Sequence, residues 1–365
     1  MFLTPPTLAA WLHDLNPVLV RFTDTFAIRY YGLAYAIGFL LGWAWLRFMS
    51  RRGMTPLSPQ RISDMMVAMV LGVVAGGRIG YVLFYDPSLL TDFNSSFPFW
   101  GVLRLNQGGM SSHGGILGVM IATWWVSRGV KDEQGRVQFR VPWMHVLDLA
   151  AVACTAGLML GRIANFINGE LLGKIVAAPG EPAPWWAVKF PQERATYDPA
   201  AAVEHAPALS PEQTEQFRNL LDQFRVGMES DQTAYQRVLH VLQSGGVEAE
   251  AVARQLSPLI AARFPSQLLQ AATDGLVLGG ILWLIWAKPR RAGVISAWFG
   301  IIYGVLRILT EQVRLPDAAL QNVKASTGLS MGQWLSVGMV AIGAAMLAVF
   351  IRRPGPVFGG WLRRA

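Results

Sequence analysis

The chain has 365 residues, of which 53% are hydrophobic and only 15% charged, with a formal net charge of +8. Soluble domains average about 25% charged residues, so this composition excludes an ordinary soluble enzyme and identifies a polytopic membrane protein. A nucleic-acid partner is not required by the positive charge, because the basic residues gather at the ends of apolar runs, where membrane orientation accounts for them.

The first basic residue is Arg21 and no apolar run precedes it, unlike the basic-then-apolar order of a cleaved signal peptide, so the first spanning helix is expected to direct insertion. Apolar runs approaching the roughly 20 residues of a spanning helix fall at 31–48, 64–85, 113–128, 143–166, 267–287, 293–313 and 330–351. Seven transmembrane helices are predicted, the third of them short and poorly bounded at its start. Arg47, Arg51, Arg52 and Arg61 follow the first helix; Arg128, Lys131, Arg136 and Arg140 follow the third; Lys288, Arg290 and Arg291 follow the fifth; Arg352, Arg353, Arg363 and Arg364 close the chain. Loops richer in Lys and Arg face the cytoplasm, which predicts an outer N-terminus and a cytoplasmic C-terminus.

The loop at 171–265 is the one large soluble part. Trp185 and Trp186 follow a Pro/Ala-rich stretch at 177–184 and suit the headgroup level. After a linker-like 198–209, Ser210-Pro211-Glu212-Gln213 supplies a capping hydroxyl, a proline at the first helical position and an acid beside it. Amphipathic helices are predicted at 211–228, 231–243 and 247–262. The fold class is therefore all-α, with helices one to four in 1–170, a small helical insert at 171–265 and helices five to seven in 266–365.

Fourteen Trp and 18 Phe fit aromatic belts at both interfaces. Cys154 is the only cysteine, which excludes an intramolecular disulfide, and with nothing basic beside it reads as a small core residue. No cysteine pair or His/Cys spacing points to a metal, and no cofactor is expected. His13, His145, His205 and His240 are expected at surface or interfacial positions.

Polar chemistry enters the apolar sequence in five places, all expected near the outer membrane face. Arg29-Tyr30-Tyr31-Gly32 opens helix one, Gly77-Arg78-Ile79-Gly80-Tyr81 lies late in helix two, and Gly108-Gly109-Met110-Ser111-Ser112-His113-Gly114-Gly115 precedes helix three. The stretch Gly161-Arg162-Ile163-Ala164-Asn165-Phe166-Ile167-Asn168-Gly169-Glu170-Leu171-Leu172-Gly173 ends helix four, and Arg307 with Glu311 lies late in helix six. Such groups at membrane depth are unfavourable by several kcal/mol unless paired or bound, and so mark function. Arg162 and Asn165 share a helix face, and Glu170 follows the Asn168-Gly169 break, where freed backbone must line a polar cavity. Arg307 and Glu311, four apart, form an ion pair that is either structural or functional. His113 is a proton acceptor near neutral pH, beside glycines that let a ligand approach the backbone. Arg78 reads equally as a packing partner or a headgroup contact, and Asp148 and Asp274 are intramembrane acids whose partners the sequence does not name.

These motifs resemble those of the bacterial phosphatidylglycerol:prolipoprotein diacylglyceryl transferases. The matching segments are Tyr31-Gly32-Leu33, Gly76-Gly77-Arg78-Ile79-Gly80-Tyr81, Gly109-Met110-Ser111-Ser112-His113-Gly114-Gly115, the 161–173 stretch, Pro265-Ser266-Gln267-Leu268, Tyr303-Gly304 with Arg307 and Glu311, and Arg314-Leu315-Pro316-Asp317. The resemblance spans nearly the whole chain except the insert. It implies a bacterial inner-membrane enzyme with a periplasmic insert, which transfers the diacylglyceryl group of phosphatidylglycerol to the lipobox cysteine thiol of a preprolipoprotein. A thioether forms and glycerol 1-phosphate leaves. In that reading Arg162 binds the headgroup, Arg307 assists at the phosphate with Glu311 orienting it, and His113 removes the thiol proton with Tyr31 as hydrogen-bond partner. Asn165 and Glu170 bind the headgroup glycerol, Gly173 gives the backbone room, and Arg78 is a further headgroup contact. Ala164, Phe264, Leu269 and Gln270 depart from the usual Gly, His, Tyr and Glu, which puts a polar role for the Pro-Ser-Gln segment in question. A transporter reading competes, but would need internal repeats and a midplane site; a non-catalytic scaffold leaves the Arg, His and Glu groups unexplained.

Overall fold

The computed structural model describes residues 10–23, 27–95, 97–105, 108–195, 206–315 and 327–362. Pro316, Asp317, His205, Arg363, Arg364 and residues 198–205 of the linker lie outside the described residues. The described chain is mainly helical: α1 (Tyr30–Arg51), α2 (Pro59–Phe84), α3 (Ser112–Ser127), α4 (Trp143–Asn168), α5 (Pro211–Phe224), α6 (Asp231–Ser244), α7 (Gly246–Leu256), α8 (Ser266–Ile285), α9 (Val294–Thr310) and α10 (Met331–Arg352). Five of these, α1, α2, α4, α8 and α10, are long and apolar enough to cross a membrane. Each predicted spanning run carries a helix, but α3 has 16 residues and α9 has 17, short of the usual spanning length. Two compact units divide the chain, one of Met1–Ala36, Leu158–Leu276 and Tyr303–Gly338, the other of Ile37–Gly157, Val277–Ile302 and Met339–Ala365.

In the second unit a glycine stripe brings α2 and α3 into backbone contact. A Cβ on Gly80 would lie 2.8 Å from the Gly114 Cα, one on Gly72 would lie 2.5 Å from the Gly118 carbonyl oxygen, and Gly76 meets the Gly114 carbonyl. Small residues four apart are what let apolar helices approach closely without a hydrophobic driving force. Gly114 is thus committed to helix packing, a different use from the ligand approach expected of it. Both helices start where a serine caps them: Ser58 accepts from the Arg61 amide and Ser111 from the Gly114 amide. Asp148 acquires its partners here. It accepts from the Gly293 and Ser296 amides, each at 2.7 Å, and from the Ser296 hydroxyl at 2.7 Å, satisfying the first turn of α9.

In the first unit the insert packs α5, α6 and α7 around Leu220, Leu221, Tyr235, Val238, Leu239, Val252 and Leu256. Ser210 supplies the expected capping hydroxyl, and Gln213 returns a bond to it that makes the cap reciprocal. α5 stops at Phe224 because Arg225 turns extended, and α7 stops before Ser257-Pro258, so both end earlier than the apolar periodicity indicates. The all-α expectation is incomplete. A four-stranded sheet orders Trp11–Leu12, Val188–Lys189, Ala262–Arg263 and Ile175–Ala177 side by side. Strands of two or three residues are too short to carry a period-two signal, and only the chain crossing creates them. His13 and His145 are also fully buried rather than superficial, whereas His240 is exposed.

Candidate active site

The first unit gathers seven of the nine predicted site residues. α4 delivers Arg162 and Asn165 from its last two turns and then breaks. Gly169 takes φ +67, where a side chain would be strained, and its amide together with that of Glu170 returns to the Phe166 and Asn165 carbonyls at 3.0 and 2.9 Å. The Asn165 amide donates to the Tyr31 hydroxyl at 3.1 Å and to Glu170 Oε2 at 3.4 Å, and Asn168 donates to Glu170 Oε1 at 3.2 Å. Tyr31, Asn165 and Glu170 therefore form one connected polar set. Gly173 lies where a Cβ would strike the Phe264 carbonyl and come within 3.1 Å of the Val313 carbonyl, and its own carbonyl accepts from Arg263 at 3.0 Å.

Asp274 receives a partner that its sequence position does not reveal. Arg162 Nε lies 3.4 Å from Asp274 Oδ2, the acid being fully buried in a π-helical turn at Ala272–Val277 within α8. A π turn inserts one residue into the helix and re-aims the side chains beside it. Beyond this ion pair Arg162 makes no side-chain hydrogen bond to protein among the described residues, so its guanidinium keeps donors for a ligand. Arg307 pairs through Nη2 with Glu311 Oε2 at 2.9 Å, while its Nη1 is buried without a hydrogen-bond partner. Glu311 in turn accepts from Ser330 at 3.1 Å and lies 3.7 Å from Arg314. The charges of Arg162, Asp274 and Arg307 are close enough to act on one another. Three arginines thus surround two acids, and two of the guanidinium groups keep unmatched donors. That arrangement can receive a dianionic or monoanionic oxygen group.

The Pro-Ser-Gln segment does have a polar role. Ser266, Gln267 and Gln270 are fully buried; Gln267 donates to the Glu170 carbonyl at 2.6 Å and Ser266 to the Leu171 carbonyl at 3.3 Å. Phe264 packs edge-on against Trp186, and Ala164 is buried in the core. These contacts, like Asp274 and Ser330, join elements more than 90 residues apart or across loops, beyond the reach of local pattern.

The second unit holds Arg78 and His113. Arg78 is buried and donates from Nε to the Val102 carbonyl at 2.8 Å, from Nη1 to the Gly108 and Gly109 carbonyls at 2.7 and 3.1 Å, and from Nη2 to the Gly101 carbonyl at 2.7 Å. Four of its five N–H groups are taken by backbone. The geometry supports the packing-partner reading, with Arg78 clamping the loop that leads into α3. His113 stands at the second position of α3, exposed and without a side-chain hydrogen bond among the described residues.

Comparison with known proteins shows the family of the chain. The prolipoprotein diacylglyceryl transferase family model matches residues 17–349. A phosphatidylglycerol–prolipoprotein diacylglyceryl transferase of Bdellovibrio bacteriovorus is 38% identical over 360 residues, covering 96% of this chain and 97% of the relative. Proteins of the same name from Chromobacterium violaceum and Neisseria gonorrhoeae are 37% and 35% identical, covering 93% and 91% of this chain and 97% and 94% of theirs. With a match of this extent, and with an arginine, two asparagines and a glutamate at the broken end of an apolar helix, the chain belongs to the prolipoprotein diacylglyceryl transferase family.

Proposed function

We propose that this chain transfers the diacylglyceryl group of phosphatidylglycerol to the lipobox cysteine thiol of a preprolipoprotein, the first step of lipoprotein maturation. The family match carries the reaction, and the Arg162–Asp274 ion pair beside the unmatched Nη1 of Arg307 is the observation that supports the site. The thiolate sulfur attacks the glycerol carbon that bears the phosphate; a C–S bond forms, the C–O bond breaks, and glycerol 1-phosphate departs with the electron pair. Three demands follow: a deprotonated thiol, stabilised charge on the departing phosphate, and reactants held in line.

Arg162, anchored through Nε by Asp274, presents its terminal nitrogens to the headgroup phosphate. Arg307, aimed by Glu311, offers its unmatched Nη1 to the same charge as it grows. Asn165 and Glu170, linked to Tyr31, are of the right chemistry for the glycerol hydroxyls of the headgroup. His113 is assigned as thiol base by its chemistry and its exposure at the start of α3, and Arg78 contributes by holding the loop before it rather than by touching lipid.

The seven-span topology belongs to the same reading. α3 and α9 rise about 1.5 Å per residue and so fall a few ångströms short of the hydrocarbon thickness, a mismatch that local thinning of the bilayer accommodates in this reading. The positive-inside count then puts the N-terminus and the 171–265 insert in the periplasm and the C-terminus in the cytoplasm of the bacterial inner membrane. Reporter fusions after residues 52, 140, 245 and 353 test it, with 245 alone expected outside.

The purified chain supplied with phosphatidylglycerol and a lipobox peptide is expected to yield both the thioether peptide and glycerol 1-phosphate, and Arg162→Ala to yield neither. Full activity in an inserted Arg162→Ala protein would refute the phosphate site.

A further inference from the structure

His13 carries no motif, precedes the first spanning helix and is fully buried in the first unit. Its imidazole sits against Phe190 at 5.1 Å and the edge of Phe166 at 5.5 Å. A phenylalanine would fill that aromatic box without the desolvation penalty of a ring with two nitrogens. Both nitrogens are nevertheless used. Nε2 lies 2.8 Å from the Phe166 carbonyl, which can only accept, so Nε2 carries the proton; Nδ1 then accepts from the Gln192 amide at 3.0 Å. The Phe166 carbonyl is the one that also receives the Gly169 amide and closes the turn after α4. Gln192 backs the same turn from the other side, since a Cβ on Gly169 would lie 2.5 Å from Gln192 Cδ. Gln192 itself belongs to the insert, in the 3₁₀ turn Pro191–Arg194. That turn is fixed by the Tyr235 hydroxyl donating to the Pro191 carbonyl at 2.8 Å and by the buried Glu193–Arg263 pair at 2.7 Å, with Arg263 also donating to the Gly173 carbonyl.

We infer that His13 and Gln192 are positioning residues for the reaction: a relay from the insert to the Phe166 carbonyl that holds the Asn165–Glu170 turn in the orientation that receives the phosphatidylglycerol headgroup. The inference rests on the headgroup role proposed above for Asn165 and Glu170. It gives the extramembrane insert a task, as the rigid backing of a lipid-binding turn. Directed hydrogen bonds at both ring nitrogens fix the turn about the helix end, which shape-filling alone does not do.

The test uses the full-length chain in lipid nanodiscs, with the KM of phosphatidylglycerol and of a lipobox peptide measured separately. His13→Phe keeps the ring and removes both hydrogen bonds. It is expected to raise the phosphatidylglycerol KM about tenfold, the size of one net hydrogen bond, and to move the peptide KM less than about twofold. His13→Gln, whose amide nitrogen reaches the place of Nε2, is expected to restore most of the loss. Gln192→Leu is expected to act in the same direction by about threefold, and the double variant to match His13→Phe rather than the product of the two. An unchanged phosphatidylglycerol KM in His13→Phe and Gln192→Leu, or equal losses for both substrates with no rescue by His13→Gln, would overturn the relay. If His13→Phe does not fold, Gln192→Leu and His13→Gln decide by the same criteria. Asn165→Ala and Glu170→Gln in the same assay separate the two claims. A raised phosphatidylglycerol KM in those with none in the His13 and Gln192 variants refutes the relay alone; no change in any of them refutes the headgroup site, and the relay with it.

Discussion

Arg78 and Arg162 both stand among glycines in apolar helices, yet the two regions use their arginines in opposite ways. Arg78 gives four N–H groups to the carbonyls of Gly101, Val102, Gly108 and Gly109. Arg162 is held by an ion pair with Asp274 and makes no other side-chain hydrogen bond among the described residues, and Arg307 keeps a buried Nη1 unmatched. A guanidinium saturated by backbone fixes a loop; in the reading proposed above, one with donors left over receives a ligand. On that reading donor saturation, more than burial or sequence context, separates a structural intramembrane arginine from a ligand-binding one.

The sharpest way to break that comparison is to remove each arginine in turn. Arg162→Ala is expected to lower transfer at least about a hundredfold, the usual consequence of deleting a donor to developing negative charge, in protein that still inserts and folds although buried Asp274 loses its ion-pair partner. Arg162→Lys is not expected to rescue it, because an ammonium cannot replace a fork anchored at one nitrogen. Arg78→Ala is expected to do the reverse in kind, leaving several carbonyls without a donor and destabilising the fold by about 3 kcal/mol, read by thermal unfolding in detergent. Equal behaviour of the two variants in both assays would dissolve the distinction. The clamp depends on the glycine stripe that holds α2 against α3, so Gly76→Leu is expected to destabilise by about 1–3 kcal/mol through overpacking, reported by the yield of folded protein.

Asp274→Asn sharpens the comparison from the other side. It keeps the shape and removes the charge that orients Arg162, and is expected to lower kcat/KM about tenfold while Arg162 stays in place. The smallest effect concerns the relay behind the turn. Burial holds the His13 imidazole below its ordinary value of 6.5, the nearby Asp14 and the Phe166 carbonyl opposing that shift. The folded chain therefore binds fewer protons there than the unfolded chain, and the stability due to neutral His13 is complete above about pH 6.5 and falls as pH drops through the folded value. The melting temperature of the native chain should decline between pH 7 and pH 5 more than that of His13→Gln, which has no ring to titrate. Parallel profiles would show that His13 is not held neutral.

Much of this protein was readable from its residues. Apolar runs located every helix that carries a predicted span, and Ser210-Pro211-Glu212-Gln213 specified a cap that forms as written, because capping is a contact between neighbours in sequence. Arg307 and Glu311 paired as their spacing allowed. The string from Gly161 to Gly173 announced both the helix break and the polar set around it, because polar groups at the end of an apolar helix demand partners wherever the fold puts them. What the sequence determined by itself was the class of protein and the helices; it also named the candidate site residues, seven of which fall in one unit. Only the tertiary structure decided which arginine is saturated, that Asp274 pairs with Arg162, that Gly114 serves packing instead of a ligand, and that His13 lies buried behind the turn after α4. Each of those depends on a contact across tens to hundreds of residues, and the free energy of such a contact is set by geometry and burial that no local pattern of residues encodes.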